Sequence, residues 1–151
     1  MRYIEGINRK SKIAFPEYID DYITEDNPVR IIEAFVESLN MIELGFTNAI
    51  PKDKGRPGYD PKDLLKLYIY GYMNKITSSR NLEKATQTNI EVMWLLRRLS
   101  PDFKSISDFR KDNKKTIKLV FNQFVALCKE WGLFGKEEIK EKNFIPEERN
   151  L

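Results

Sequence analysis

The sequence contains no histidine among its 151 residues and only one cysteine, Cys128. Without imidazole the chain can form no Ser-His or Cys-His nucleophile pair and no histidine-ligated metal site. A single cysteine excludes an internal disulfide and every zinc module built from several cysteines, and it fits a reducing compartment. Only carboxylate, lysine, tyrosine or lone-thiol chemistry is left.

Long apolar runs are also missing. No uninterrupted hydrophobic segment approaches the roughly 18 to 20 residues that span a bilayer, and no apolar stretch follows the charged N-terminus as it would in a signal peptide. With 41% hydrophobic and 32% charged residues, the composition is that of a folded protein. We therefore expect a cytoplasmic protein of one domain, without contact to a membrane.

The basic residues are concentrated in the middle of the chain. Residues 1–55 carry 7 Lys and Arg against 10 Asp and Glu, whereas residues 56–135 carry 15 against 8. Such a local surplus attracts polyanions and can exchange counterions with phosphate. A solvated, lysine-rich surface would give the same count, so charge alone leaves both interpretations open.

Helix start and stop signals recur along the chain, whereas strand signals are nearly absent. Asn27 before Pro28 is an N-cap followed by a proline at the first helical position, and Gly45 is a C-terminal stop. Apolar residues at spacings of three and four continue between them to Ile42, which predicts one amphipathic helix over residues 27–43. The fold is predicted to be all-α, a compact multi-helix bundle with a helix-turn-helix-like part.

A second start signal, Asp60 before Pro61, opens a segment too apolar around its circumference for a surface helix. This segment is predicted to be the central helix of the core. Gly71 within it costs about 1 kcal/mol relative to alanine, so we expect it to allow close approach of a neighbouring helix.

Three shorter helices are predicted next. Ser78 and Ser79 can cap the first, the second spans residues 90–99, and Ser105 with Asp108 forms a capping box for the third.

The last helix has the strongest period. Its apolar stripe extends from Ile117 through Cys128 to Trp131 and ends before Gly132. Cys128 is therefore expected to be a core residue and not a reactive thiol.

The organisation predicted from these patterns is an N-terminal arm with an amphipathic helix over residues 1–50, a helical core over 51–135 and a charged tail over 136–151. No glycine-rich phosphate loop is present. The acidic pairs near residues 20 and 25 precede a helix start, where acids are expected for capping and for the helix dipole. We expect no cofactor, no bound metal and no small-molecule substrate.

Short capped helices separated by tight turns suit the placement of one helix in a DNA major groove, although any small helical bundle shares these features. The expected phosphate contacts are the cations of these helices, Arg80, Lys84, Arg97, Arg98, Lys104, Arg110, Lys111, Lys114 and Lys115. The base readers are expected among polar residues predicted to point outward, Asn81, Ser107 and Arg110. An ordinary exposed residue is the alternative for each of them.

Several separated motifs resemble one known family. The segments DYITEDNPVR, YDPKDLLKL, SSRNLE and PDFKSISDFR occur in the order found in the N-terminal domain of bacterial insertion-sequence transposases of the DDE type. The resemblance covers roughly residues 1–135. It implies a helical domain that binds the terminal inverted repeats of the mobile element, while a separate RNase H-like domain cuts the DNA.

The resemblance stops before the nuclease. In the family, the first catalytic aspartate follows soon after the segment corresponding to residues 132–135, whereas no aspartate occurs here after Asp112. The chain is thus expected to be a non-catalytic module whose partner is double-stranded DNA. Two alternatives stay open: a helical module that dimerises or assembles with a full-length transposase and inhibits it, suggested by the amphipathic segment 27–43, and a relic fragment.

Overall fold

The computed structural model describes residues 8–10, 18–51, 53, 55 and 58–132. Within these ranges the chain is all-helical, which confirms the predicted fold class. The predicted tail over residues 136–151 lies outside the described residues. After a 3-10 turn, Ile19–Tyr22, the helices are α1 (Val29–Glu37), α2 (Met41–Leu44), α3 (Pro61–Asn74), α4 (Ser79–Thr88), α5 (Ile90–Leu95), α6 (Phe103–Asp112) and α7 (Lys114–Glu130).

Helix α3 is the central helix, as predicted. Its start is fixed by the side chain of Asp60, which accepts a hydrogen bond from Lys62 N at 2.9 Å, and by Pro61 in the first turn. Its first eleven residues are buried except for Lys62. It packs against α1, α4, α5 and α6, and the core of the protein therefore forms around it.

Gly71 provides the predicted close approach. A Cβ atom built on it would lie 2.6 Å from the carbonyl oxygen of Ile76 and 2.9 Å from Cδ2 of Leu82. The chain turns back here, since Ile76 N donates to Gly71 O at 2.8 Å. The absence of a side chain at this position lets α4 pack against the end of α3.

The prediction of a single helix over residues 27–43 is wrong. Helix α1 ends at Glu37, and α2 begins only at Met41. Asn40 caps α2 by accepting a hydrogen bond from Glu43 N at 3.2 Å, and this local bond competes with a continuous helix. The start lies one residue later than predicted, since Pro28 is the N-cap and α1 begins at Val29, although Asn27 accepts a hydrogen bond from Val29 N at 2.9 Å. The predicted stop holds: Gly45 closes α2 with a φ of 84°.

Helix α1 shares the core with α3. Lys66 of α3 is fully buried, and its Nζ forms ion pairs with Glu33 and, at 2.8 Å, with Glu37, both on α1. A buried ammonium needs such partners, because its desolvation costs several kcal/mol. The predicted arm over residues 1–50 thus contributes α1 to the central bundle, while the boundary itself stays a prediction.

Two later helices differ from the prediction at one end. The capping box at Ser105 and Asp108 is wrong: Asp102 is the cap and accepts from Ser105 N at 3.2 Å, so α6 begins one turn earlier. Helix α5 ends at Leu95, well before residue 99, because Arg97 and Arg98 adopt left-handed φ values of 52° and 66°.

Helix α7 follows the predicted apolar stripe from Ile117 to Cys128, which is fully buried. Trp131 does not belong to this stripe, since it is 58% exposed just beyond the end of the helix. Gly132 follows with a φ of 68°, as expected of a stop. In the described part of the chain, no helix combines the length and apolarity needed to cross a membrane.

Gly71→Ala is expected to lower the free energy of unfolding by about 1 to 3 kcal/mol, because the added methyl group overlaps a backbone carbonyl. The better helix propensity of alanine returns only about 1 kcal/mol, included in that range. Urea unfolding measures the difference. Gly58→Ala is the matched control, since no atom lies within 4 Å of its Cβ position. Equal stability of the two variants would contradict the assigned contact.

Candidate nucleic-acid interface

The cations of the chain fall into two groups according to their ion pairs. Within the described residues, every ion pair involves a cation of α1, α3 or the turn after α5. The exposed cations of α4, α6 and the start of α7 form no ion pair with a described residue. They are Arg80, Lys84, Lys104, Lys111, Lys114, Lys115 and Lys118, which we call the basic surface.

Polar contacts hold α4 against the first residue of α6 and the loop before it. Glu83 Oε1 accepts a hydrogen bond from Phe103 N at 3.1 Å, and the hydroxyls of Thr86 and Ser100 lie 2.7 Å apart. The exposed side chains of both helices therefore belong to adjoining surfaces.

Lysines and acids lie on adjoining faces of helix α6. Lys104, Ser107 and Lys111 follow one another at spacings of three and four and so lie on one face of the helix. Asp108, four residues after Lys104 and three before Lys111, borders this face, and with Asp112 and with Asp63 of α3 it lines an open cleft of about 820 Å³. The acids of α6 thus face the cleft and leave the lysine stripe without ion pairs to described residues.

The cleft brings no metal site together. Among the described residues, no group of three or more histidine, cysteine or acidic side chains is placed to hold a metal ion. One acid in the cleft, Asp63, is buried, and burial raises its pKa while Arg97 opposes that shift.

Asn113 fixes the junction between α6 and α7. Its side chain accepts from Thr47 N at 2.9 Å and donates to the carbonyl oxygen of Phe109 at 2.9 Å. The lysine stripe of α6 is followed directly by the exposed Lys114 and Lys115 in the first turn of α7. Asn113 therefore anchors the short junction that connects the lysines of α6 to those of α7.

Most of the residues proposed from the sequence are accessible. Those exposed to solvent are Arg80, Asn81, Lys84, Arg97, Arg98, Lys104, Lys111, Lys114 and Lys115, while Ser107 is half-buried. Arg97 differs from the other cations, because its Nη2 donates to Asp63 Oδ2 at 3.1 Å although 60% of its side chain is exposed. The charge of Arg97 is therefore already paired with the buried carboxylate of Asp63.

The prediction that Arg110 points outward is wrong. The residue is 2% exposed, and neither Nε nor Nη1 has a hydrogen-bond partner among the described residues. Arg110 follows the buried Ile106 by four positions and therefore shares its inward face. This spacing could have indicated the burial, but the charge of the guanidinium outweighed it in the prediction.

Two members of this region were missed from the sequence. Lys118 lies one turn after Lys114 on α7, and the same spacing could have added it to the set. Phe103 is 38% exposed at the start of α6, with the guanidinium carbon of Arg80 4.0 Å from the centre of its ring. No sequence pattern links Arg80 to Phe103, because only the packing of α4 on α6 brings these two residues together.

Comparison with known proteins gives one match. A family model described as a transposase domain (DUF772) matches residues 17–112, a range that extends from the segment before α1 to the end of α6. No curated protein and no solved structure matches the chain.

Arg110→Met is expected to raise the free energy of unfolding by about 1 to 3 kcal/mol, because it removes buried donors that lack partners and retains an apolar chain of comparable length. Thermal unfolding followed by circular dichroism measures the change. Lys111→Met, at the exposed neighbouring position, should stay within about 0.5 kcal/mol of the wild type. Destabilisation by Arg110→Met would show that the guanidinium has a stabilising partner.

Proposed function

We propose that this chain, which belongs to the transposase domain family, binds double-stranded DNA through the basic surface. The observation that carries the proposal is the division of its charges: the cations of α1 and α3 are paired, whereas those of α4, α6 and the start of α7, except the buried Arg110, are exposed and form no ion pair with a described residue. Unpaired cations can replace the counterions that surround DNA phosphates, and the released ions favour binding.

The DNA proposed as ligand is the terminal inverted repeat of an insertion sequence. Lysines of the basic surface would contact phosphates, and the exposed Asn81 and half-buried Ser107 offer side chains able to hydrogen-bond with base edges. We assign recognition to this domain and cutting to a separate one, since the resemblance to DDE-type transposases implies that division.

The double variant Lys104→Ala/Lys111→Ala is expected to bind both a terminal-repeat duplex and a random duplex about tenfold more weakly at about 0.1 M salt. Each lost phosphate contact should also reduce the slope of log affinity against log salt by about 1. Fluorescence anisotropy titrations at several salt concentrations measure both quantities.

Lys129→Ala is the control for this experiment, because Lys129 is an exposed cation at the opposite end of α7 from Lys114. It should leave affinity and slope unchanged. Wild-type protein that binds neither duplex at about 50 mM salt would refute the proposed function, because a low salt concentration strengthens every phosphate contact.

A second function, self-assembly, is supported by a groove between α1 and α7. This groove of about 650 Å³ is lined by apolar side chains that include Phe35, Leu127 and the exposed Trp131. Arg30 and Glu130, of opposite charge, line it as well. Arg30 is already paired with Asp20 of its own chain, so the apolar lining carries the argument: in a twofold dimer the same apolar surface of both copies would pack together, and we propose a homodimer joined at this groove.

The groove also bears on assembly with a full-length transposase. A longer protein that carries the same domain would present the same groove, so mixed assembly is proposed on the same contacts. The acids of α1 are engaged elsewhere, because Glu33 and Glu37 pair with lysines of α3. They therefore do not cover the basic surface.

Ala126→Glu is expected to convert the dimer to a monomer, because it places a charge in the apolar groove. Static light scattering across a concentration series measures the mass. Leu119→Glu is the matched control: it adds the same charge to an exposed position of α7 that does not line the groove. A wild-type monomer at about 100 μM would refute the dimer, whose dissociation constant would then lie above the range of specific complexes.

A further inference from the structure

Arg80 is the one arginine of the basic surface, and its guanidinium lies over an aromatic ring. It lies in the first turn of α4, is exposed, and forms neither an ion pair nor a hydrogen bond to a described residue through its side chain. Its guanidinium carbon stands 4.0 Å from the centre of the Phe103 ring, at the start of α6. This cation–π contact is attractive and favours conformations of Arg80 in which the guanidinium lies over the ring.

Phe103 is itself fixed to both helices. Its backbone N–H donates a hydrogen bond to the side chain of Glu83, which lies three residues after Arg80 on α4. This bond is a second connection between α4 and Phe103, beside the contact with Arg80. On the other side Asp102 caps α6 and accepts hydrogen bonds from Ser105 N and from Ser105 Oγ at 2.6 Å. The backbone of Phe103 is thus anchored by α4 and by the cap of α6.

A stacked guanidinium keeps its N–H edge available. Its donors lie in one plane and point away from the ring's centre, so two of them can bind a planar pair of acceptors at once. Guanine presents such a pair, O6 and N7, in the major groove. The neighbouring lysines, by contrast, are flexible point charges that suit phosphates and require no fixed plane.

We propose that Arg80 is the residue that determines specificity, by donating two hydrogen bonds to the major-groove edge of one guanine, and that Phe103 is a positioning residue for it. The proposal rests on the proposed DNA-binding function. It assigns base reading to the first turn of α4 and replaces Arg110, which is buried, with an arginine that is exposed and lies over an aromatic ring. Orientation before binding lowers the entropy lost on contact.

The test uses a terminal-repeat duplex in which each guanine in turn is replaced by 7-deazaguanine, which lacks N7. For the wild type, replacement at one position per binding site should weaken binding about tenfold, within the range of a bidentate contact. Arg80→Lys keeps the charge but not the planar fork. It should lose this sensitivity and retain its affinity for a random duplex within about twofold.

Two further variants test the positioning role. Phe103→Leu should reduce the preference for the guanine while leaving affinity for the random duplex and the unfolding midpoint close to wild type, whereas Phe103→Tyr should restore the preference because it restores the ring. Lys84→Ala, one turn after Arg80 on the same helix, is the control and should weaken all duplexes alike.

The outcomes separate the two proposals. If Arg80→Lys weakens terminal-repeat and random duplexes equally, or if no 7-deazaguanine affects wild-type binding, the specificity role is overturned while DNA binding stands. If Phe103→Leu keeps the full guanine preference, the positioning role is overturned. Wild-type protein that binds no duplex at low salt refutes DNA binding itself.

Discussion

Burial of α3 requires partners for the charges that it carries into the core. Lys66 takes Glu33 and Glu37 from α1, and the buried Asp63 takes Arg97 from the turn after α5. These pairs tie α1 and α5 to the central helix, and Lys66 holds the pKa of Glu37 below its ordinary value. They also use the acids of α1, so that these carboxylates are not available to neutralise cations on α4, α6 and α7.

The same partition explains why a net charge of only +3 is compatible with a polyanionic partner. Association with DNA depends on the field at the contact surface and not on the sum over the molecule, because salt screens charges beyond about 10 Å. Acids that pair inside the bundle count fully in the net charge. They contribute less to the field over the basic surface.

The sequence predicted most of the fold, because its signals there are local. Asp60 with Pro61 set the start of α3, Gly71 indicated a close helix contact, and the period of α7 placed Cys128 in the core. It failed where a local signal competed with another, as at Asn40, or where tertiary packing decides. The burial of Arg110 and the stacking of Arg80 on Phe103 depend on how α6 meets its neighbours, which one-dimensional spacing only partly constrains.

For the proposed interface, the acidic stripe of α6 matters as much as the basic one. Asp108 and Asp112 lie beside the lysine stripe but face the cleft, together with Asp60 and the cap Asp102. A duplex that approached from the cleft would meet like charges, and repulsion between juxtaposed like charges suppresses wrong docking geometries. For the proposed DNA contact, the acids of α6 would therefore favour the approach of a duplex from the side of the lysine stripe.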